Sequence, residues 1–158
     1  MAVAPGGAAH RALIEAVGEA SRIKSRAIDR VAYASDASHY LYTPKAVLVA
    51  EDAAEVAAIL RAASVSGSRV TFRSGGTSLS GQASTDELLV DTRRGFRRID
   101  VLDGGSRVRV QPGATVRQVN MRLLRHGYRL GPDPASETAC TIGGVVANNS
   151  SGMACGIT

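Results

Sequence analysis

A strand, a helix and a second strand follow one another between residues 46 and 72, and this order restricts the fold more than any other feature of the chain. The continuous apolar run of residues 46–50 predicts a buried strand. Asp52 is the expected N-cap of the helix, Glu55 completes a capping box, and Gly67 ends the helix. With residues 69–72 as the next strand, the pattern predicts a βαβ unit with parallel strands and a right-handed crossover.

A loop rich in glycine and hydroxyl side chains follows the second strand directly. It reads Arg73-Ser74-Gly75-Gly76-Thr77-Ser78-Leu79-Ser80-Gly81-Gln82. Adjacent glycines allow backbone angles that point successive N–H groups into one concavity, and the hydroxyl side chains add further donors. Because open α/β sheets bind ligands at the carboxyl ends of their strands, we interpret the segment as a phosphate-binding loop. A surface turn rich in Gly and Ser is the alternative that composition leaves open.

Periodicity and turn residues predict the remaining elements. Residues 8–20 have the apolar spacing of a short amphipathic helix, within a helical lead-in of residues 1–42, and residues 43–158 form the main domain. Residues 21–42 show no regular pattern. The later elements are a strand at 87–91, a hairpin at 99–110, a helix capped by Thr115 and stopped by Gly127, a rigid proline loop at 131–136, and a second run of small residues at 141–152.

Charge and cysteine content narrow the functional classes. The chain has 19 Lys and Arg against 14 Asp and Glu, a net charge of +5 that favours an anionic ligand. Nucleic-acid binding is disfavoured, because the arginines are dispersed and the aromatic content of 4% offers little base stacking. Cys140 and Cys155 fit neither a metal motif nor a disulfide framework, so we expect reduced thiols in a cytoplasmic protein, with Cys140 as a small packing residue.

Metal and membrane sites are also not expected. His10, His39 and His126 lack the spacing of metal ligands. No apolar run is long enough to span a bilayer, and the N-terminus lacks a signal pattern. We therefore expect neither a metal ion nor a transmembrane segment.

Four motifs follow one another along the chain. They are the loop 73–82, then Val110-Gln111-Pro112-Gly113, then Pro132-Asp133-Pro134, and finally Thr141-Ile142-Gly143-Gly144 with Asn148-Asn149-Ser150-Ser151-Gly152. Together they resemble the PCMH-type FAD-binding domain of the FAD-linked oxidases of the vanillyl-alcohol oxidase type. This family includes D-lactate dehydrogenases and the glycolate oxidase FAD subunit. The resemblance implies an α+β (α/β) domain with an N-terminal βαβ subdomain and a mixed sheet, truncated before its second subdomain is complete.

The resemblance also implies a role in FAD binding for individual residues. The set consists of the pyrophosphate loop Arg73, Ser74, Gly75, Gly76, Thr77, Ser78, Leu79, Ser80, Gly81 and Gln82, the floor Pro112 and Gly113, the flavin edge Pro132, Asp133, Ser136, Thr141, Ile142, Gly143 and Gly144, and beyond it Asn148, Ser151 and Gly152. Covalent members carry a histidine in the first loop, where this chain has Thr77 and Ser78, so non-covalent FAD is expected. Gly76→Val is expected to abolish FAD retention by placing a branched Cβ at the pyrophosphate.

The implied function is oxidation of a small 2-hydroxy acid, such as D-lactate or glycolate, by hydride transfer from the substrate to flavin. No catalytic residue is assigned, because the family places the substrate-side groups mainly beyond the position of Thr158. Similarity of residues 36–40 and 148–153 to a branch with a C-terminal iron–sulfur region implies such a region or subunit in the full-length protein. The alternative is a non-catalytic truncated domain, or an assembly module that needs a partner chain for FAD binding.

Overall fold

The computed structural model of the protein describes residues 8–153 and residue 155, so the start of the predicted lead-in, residues 1–7, lies outside the described residues. The helices are α1 (Ala8–Val17), α2 (Ala27–Ala32), α3 (Ala53–Ser66), α4 (Val116–Leu123) and α5 (Ile142–Ala147). The strands are β1 (Ile23–Lys24), β2 (Ala46–Val49), β3 (Val70–Arg73), β4 (Leu88–Asp91), β5 (Ile99–Leu102) and β6 (Arg107–Val110). None of the described helices has the length and apolarity that crossing a bilayer requires.

A four-stranded mixed sheet forms the centre of the fold, with the strand order β1-β2-β4-β3. Strands β2, β4 and β3 are parallel, and β1 pairs with β2 in the antiparallel direction. The predicted βαβ unit is present as β2–α3–β3, but β4 lies between its two strands. Burial explains this order: every residue of β2 and β4 is buried, whereas β3 is only partly buried and therefore suits the edge.

The main core lies between this sheet and helices α1 and α3. Leu13 and Val17 from α1, Ile59 from α3, and Leu48 and Val90 from the sheet are at most 1% exposed. The irregular stretch after residue 20 contains β1, which extends the sheet at its edge. Residues on both sides of position 42 thus share one core, and the division into lead-in and main domain stays a prediction.

The predicted capping box at α3 is only half correct. The Asp52 side chain accepts a hydrogen bond of 2.8 Å from the Glu55 N–H, as expected. The Glu55 carboxylate, however, accepts from the Glu51 N–H at 2.8 Å and from two nitrogens of Arg22 at 2.7 Å each. A bidentate guanidinium is a stronger partner than a neutral N–H, and it comes from a residue too distant in sequence to predict. The hydrogen bond from Arg22 lowers the pKa of Glu55.

A smaller layer is formed by the β5–β6 hairpin and helix α4. Ile99 pairs with Val110 across the hairpin, and Val119 and Leu123 of α4 pack against Ile99. Thr115 is the N-cap, as predicted, and the side chain of Gln118 completes a capping box with it. This layer carries α5 to the carboxyl end of the main sheet, where the two predicted loops meet.

Candidate functional site

A cleft of about 760 Å³ opens between the glycine loop after β3 and helix α5. The two walls meet at Gly75, where an added Cβ would lie 2.7 Å from the carbonyl oxygen of Ala139. At the rim, the side-chain amide of Gln82 donates a hydrogen bond to the Asn148 side chain. Tertiary structure therefore brings together the two segments that the sequence had singled out separately.

Most of the predicted cofactor-binding residues line this cleft. They are Ser74, Gly75, Gly76, Thr77, Ser78, Leu79, Ser80, Gln82, Pro112, Ser136, Thr141, Gly143, Gly144 and Asn148. The remaining ones, which lie outside its lining, are Arg73, Gly81, Gly113, Pro132, Asp133, Ile142, Ser151 and Gly152.

Hydrogen-bond donors in the cleft are available for a ligand. In the part of the chain that the structure describes, the backbone N–H groups of residues 75–79 have no acceptor. The hydroxyls of Ser74 and Thr141 are buried and have no hydrogen-bond partner among the described residues. Leaving such a group unsatisfied costs about 1–3 kcal/mol, so a ligand that supplies acceptor oxygens at this wall removes that cost. This arrangement fits the pyrophosphate of FAD.

Much of the remaining cleft surface is apolar, which fits the aromatic rings of FAD. Val56 from α3, Phe72 at the end of β3, Phe96 and Val145 form this surface. None of the described residues that line the cleft is Asp, Glu, Lys or Arg. The charge of a bound phosphate would therefore be met by N–H and hydroxyl dipoles rather than by ion pairs.

Arg73 lies behind the glycine loop and is only 8% exposed. Its Nε donates to the Ala83 carbonyl at 2.9 Å, and its Nη1 donates to the carbonyls of Tyr33 and Ser35 at 2.8 and 3.1 Å. Burial lowers the pKa of this guanidinium, and the nearby carboxylates of Asp36 and Asp91 act in the opposite direction. These contacts make Arg73 a support of the loop that carries the donors.

Three other predicted residues outside the lining also hold walls of the cleft in place. Gly113 has no room for a Cβ, which would lie 2.6 Å from the Thr92 carbonyl oxygen. Gly81 has a φ of +77°, and a Cβ there would overlap the ring of Tyr40. Ile142, the first residue of α5, packs against the α4 layer and beside Cys140.

Of the last four predicted residues, three form a contact of their own. The Asp133 N–H donates to the Ser151 carbonyl at 3.2 Å, and Gly152 packs against Asp133 so closely that a Cβ would overlap it. Pro132 and these three residues lie outside the cleft lining.

The reason given for the Gly76→Val effect is wrong. Gly76 has a φ of +64°, and its Cβ would point toward Arg73 Cδ at 3.5 Å and Asp36 Cβ at 3.7 Å, neither of which lines the cleft. A valine there is disfavoured by the left-handed backbone angle rather than by contact with a pyrophosphate.

Sequence reasoning missed the apolar part of the cleft. Ala53 and Val56 lie in the first turns of α3, far in sequence from both glycine loops. Phe72 could have been found, because it is the next-to-last residue of the strand that leads into the loop. Cys140 packs with Val116 and Val145, as expected of a small packing residue, and it also lines the cleft.

The fold and the cleft together define a domain that binds a dinucleotide cofactor. Residues 44–158 match the family model described as FAD binding domain. Since this match covers most of the chain, the protein belongs to the FAD binding domain family. The resemblance to FAD-linked oxidases is thereby confirmed.

Curated relatives include three dehydrogenases or oxidases. D-2-hydroxyglutarate dehydrogenase of Pseudomonas putida is 34% identical over 128 residues, covering 78% of this chain and 13% of the relative. Glycolate oxidase subunit GlcD of Escherichia coli is 38% identical over 122 residues, covering 75% of this chain and 24% of the relative. D-lactate dehydrogenase of Archaeoglobus fulgidus is 36% identical over 129 residues, covering 77% and 29%. The chain spans less than a third of the length of each.

Solved structures share the fold. Alkyldihydroxyacetonephosphate synthase superposes with a TM-score of 0.74 and 20% identity over 88% of this chain and 28% of that chain. For p-cresol methylhydroxylase, the TM-score is 0.73 at 15% identity, over 90% of this chain and 29% of that chain. This likeness confirms the predicted fold class.

Proposed function

We propose that this chain is the FAD-binding portion of a flavin-dependent oxidoreductase that oxidises a 2-hydroxy acid. The observation that carries the proposal is the cleft, whose lining combines a large apolar surface with N–H groups and hydroxyls that have no partner among the described residues. The names of the relatives support the substrate class, because 2-hydroxyglutarate, glycolate and lactate are all 2-hydroxy acids.

The residues of the chain would bind and orient the cofactor. Residues 75–79 would donate N–H groups to the pyrophosphate, and the hydroxyls of Ser74 and Thr141 would add two donors. The apolar surface around Phe96 and Val145 would exclude water from the ring system. When bound, FAD would supply the hydride acceptor, and the groups that contact the substrate would come mainly from other parts of the enzyme.

We also propose that FAD is bound without a covalent bond. Thr77 and Ser78 lie in the cleft wall and carry neither an imidazole nor a thiol. The thiol among the described lining residues is that of Cys140, which is 4% exposed and packed among apolar side chains. A cysteine that is buried in this way is a structural residue rather than a reactive one.

The proposal extends to the whole enzyme in three respects. A small 2-hydroxy acid would be its substrate, an iron–sulfur region or subunit would be its electron-transfer partner, and the cytoplasm would be its location. Support for the last comes from Cys140 and Cys155, which are both free thiols.

Titration of the purified chain with FAD, followed by the quenching of flavin fluorescence, tests the cofactor proposal. We expect saturable binding, a flavin absorbance band that survives desalting, and release of all flavin on denaturation. Flavin that stays attached after denaturation would contradict the non-covalent assignment. Failure of the folded chain to bind FAD would favour a second candidate function, in which the chain is a module completed by a partner chain. The contact surface would then be the edge strand β3, whose Phe72 is 43% exposed.

A further inference from the structure

A second cavity, of about 470 Å³, lies on the opposite side of the glycine loop from the cleft. The two share only Ser74, Gly75 and Gly76 in their linings. The other walls come from the segment between α2 and β2, from the last residues of β3 and β4, and from the turn after β4. These residues are Ala32, Tyr33, Ser35, Asp36, Arg73, Asp91, Arg93, Arg94 and Arg97.

Arginine side chains dominate the charge of this cavity. Four of them, at positions 73, 93, 94 and 97, face two carboxylates, which leaves an excess of two positive charges. Arg93, Arg94 and Arg97 are exposed, and within the described residues their side chains form no ion pair or hydrogen bond. They are therefore available to a ligand.

Both carboxylates of the cavity are already satisfied by neutral donors. Asp91 accepts from the Tyr33 hydroxyl at 2.9 Å and from the Arg93 N–H at 2.8 Å. Burial and the bond to Asp91 raise the pKa of Tyr33 to about 12, so this hydroxyl stays a donor at neutral pH. Asp36 accepts from the Ser38 N–H and from the Ser84 hydroxyl at 2.8 Å each. Neither aspartate neutralises an arginine by direct contact.

Arg73 provides a buried positive charge at the back of the cavity. Its hydrogen bonds go to backbone carbonyls and to the Ser84 hydroxyl, so no carboxylate pairs with it directly. Charge interactions are stronger near such a desolvated group than at a fully exposed one. An anion in the cavity would complement this charge.

We propose that this second cavity binds a small doubly charged oxyanion of the phosphate class, either free phosphate or a phosphate monoester. Arg94 and Arg97 hold its oxygens at the mouth, and Arg73 lies behind it. Guanidinium groups bind phosphate oxygens through paired N–H donors, and a tetrahedral anion can accept from several arginines at once. The site is separate from the cofactor cleft, and its existence does not depend on the proposed function.

Isothermal titration of the chain with inorganic phosphate, at constant ionic strength kept by chloride, tests the proposal. We expect saturable binding at millimolar phosphate or below. The double variant Arg94→Gln, Arg97→Gln should weaken it at least about tenfold, because two charged donors are lost. The matched control is Arg117→Gln, Arg125→Gln, which removes the same charge at two exposed positions outside both cavities and should bind like the parent chain.

Three results would overturn the proposal. No saturable binding of phosphate to a folded chain would show that no site exists, and an equal loss in both double variants would show a general charge effect. Competition between phosphate and FAD, with unchanged phosphate binding in Arg94→Gln, Arg97→Gln, would place the anion in the cleft instead. Repeating the titration with phenyl phosphate identifies the source: tighter binding than phosphate indicates a monoester, and weaker binding indicates the free ion.

Discussion

The two cavities on either side of the glycine loop offer an anion opposite environments. The cleft presents N–H groups and hydroxyls and has no charged side chain among its described lining residues, whereas the second cavity is lined by four arginines. A net charge of +5 led us to expect an anionic ligand, but the charge does not lie where the FAD pyrophosphate would bind. Dipoles that are fixed by the fold can serve as an anion site, and the arginines are left for a different ligand.

Gly75, where the glycine loop packs against the opposite cleft wall, should be the position most sensitive to substitution. In Gly75→Ala, the new Cβ would lie 2.7 Å from the Ala139 carbonyl oxygen and 3.1 Å from Cys140 Cα, so backbone must move. We expect a loss of about 1–3 kcal/mol in the free energy of unfolding, and loss of FAD binding. Urea denaturation and FAD titration measure the two effects.

Gly131→Ala is the matched control, because no atom lies within 4 Å of its added Cβ and its φ is not positive. It should leave both the stability and FAD binding unchanged. Parent-like FAD binding by Gly75→Ala would show that the contact between the walls does not shape the site.

Removing the partnerless hydroxyls should separate binding from stability. Thr141→Val and Ser74→Ala each delete a buried hydroxyl for which residues 8–153 and 155 supply no hydrogen-bond partner. We expect FAD affinity to fall about five- to tenfold for each, since a hydrogen bond of about 1 kcal/mol is lost. Stability without FAD should be unchanged or higher, because an unsatisfied polar group is removed. Reduced stability together with unchanged FAD affinity would show that these hydroxyls serve the fold alone.

Salt should act differently on the two cavities. Between low and physiological ionic strength, phosphate binding should weaken several-fold, while FAD binding should change less than about twofold, because only the second cavity is lined by charged side chains. Parallel titrations of the two ligands in increasing sodium chloride measure this. A steeper salt dependence for FAD binding than for phosphate binding would contradict the assignment of the uncharged cleft to FAD and of the arginine-lined cavity to phosphate.

The smallest expected effect concerns Asp36 in the wall of the second cavity. Desolvation would raise its pKa, but hydrogen bonds from Ser38 and Ser84 outweigh desolvation, and the pKa is lowered. The stability that it contributes should therefore be present above the unfolded value near pH 4 and be lost as the pH falls through the folded pKa. The difference in unfolding free energy between the parent chain and Asp36→Asn should shrink on acidification. A difference that grows toward low pH would contradict this assignment.

Local sequence signals predicted the elements, and tertiary contacts explain what they missed. The strand at 46–50, the N-caps Asp52 and Thr115, and the loop after β3 follow from patterns over a few residues. The insertion of β4 between β2 and β3 could not be predicted, because several apolar strands compete for the central position. The same holds for the pairing of Glu55 with Arg22, whose partners are far apart in sequence.

The candidate site shows the same division. The hydroxyl- and glycine-rich walls were predicted because the chemistry of phosphate binding requires those residue types in short runs. The contribution of Val56 to the apolar wall was not predicted, because an apolar residue on a helix is normally part of a core. Arg73 was included as a ligand-binding residue for its place in the motif, and only its burial shows that it supports the loop from behind.

Amide NMR spectra of the ¹⁵N-labelled chain, with and without FAD, test the central claim most directly. We predict that FAD shifts the amide signals of residues 75–79, together with those of Thr141 and Gly144 across the cleft, and leaves those of Arg94 and Arg97 in place. Phosphate should instead shift the amide signals of Arg94 and Arg97. FAD-induced shifts that are confined to the arginine-lined cavity, or that are absent from residues 75–79 at saturation, would contradict the assignment of the cleft as the cofactor site.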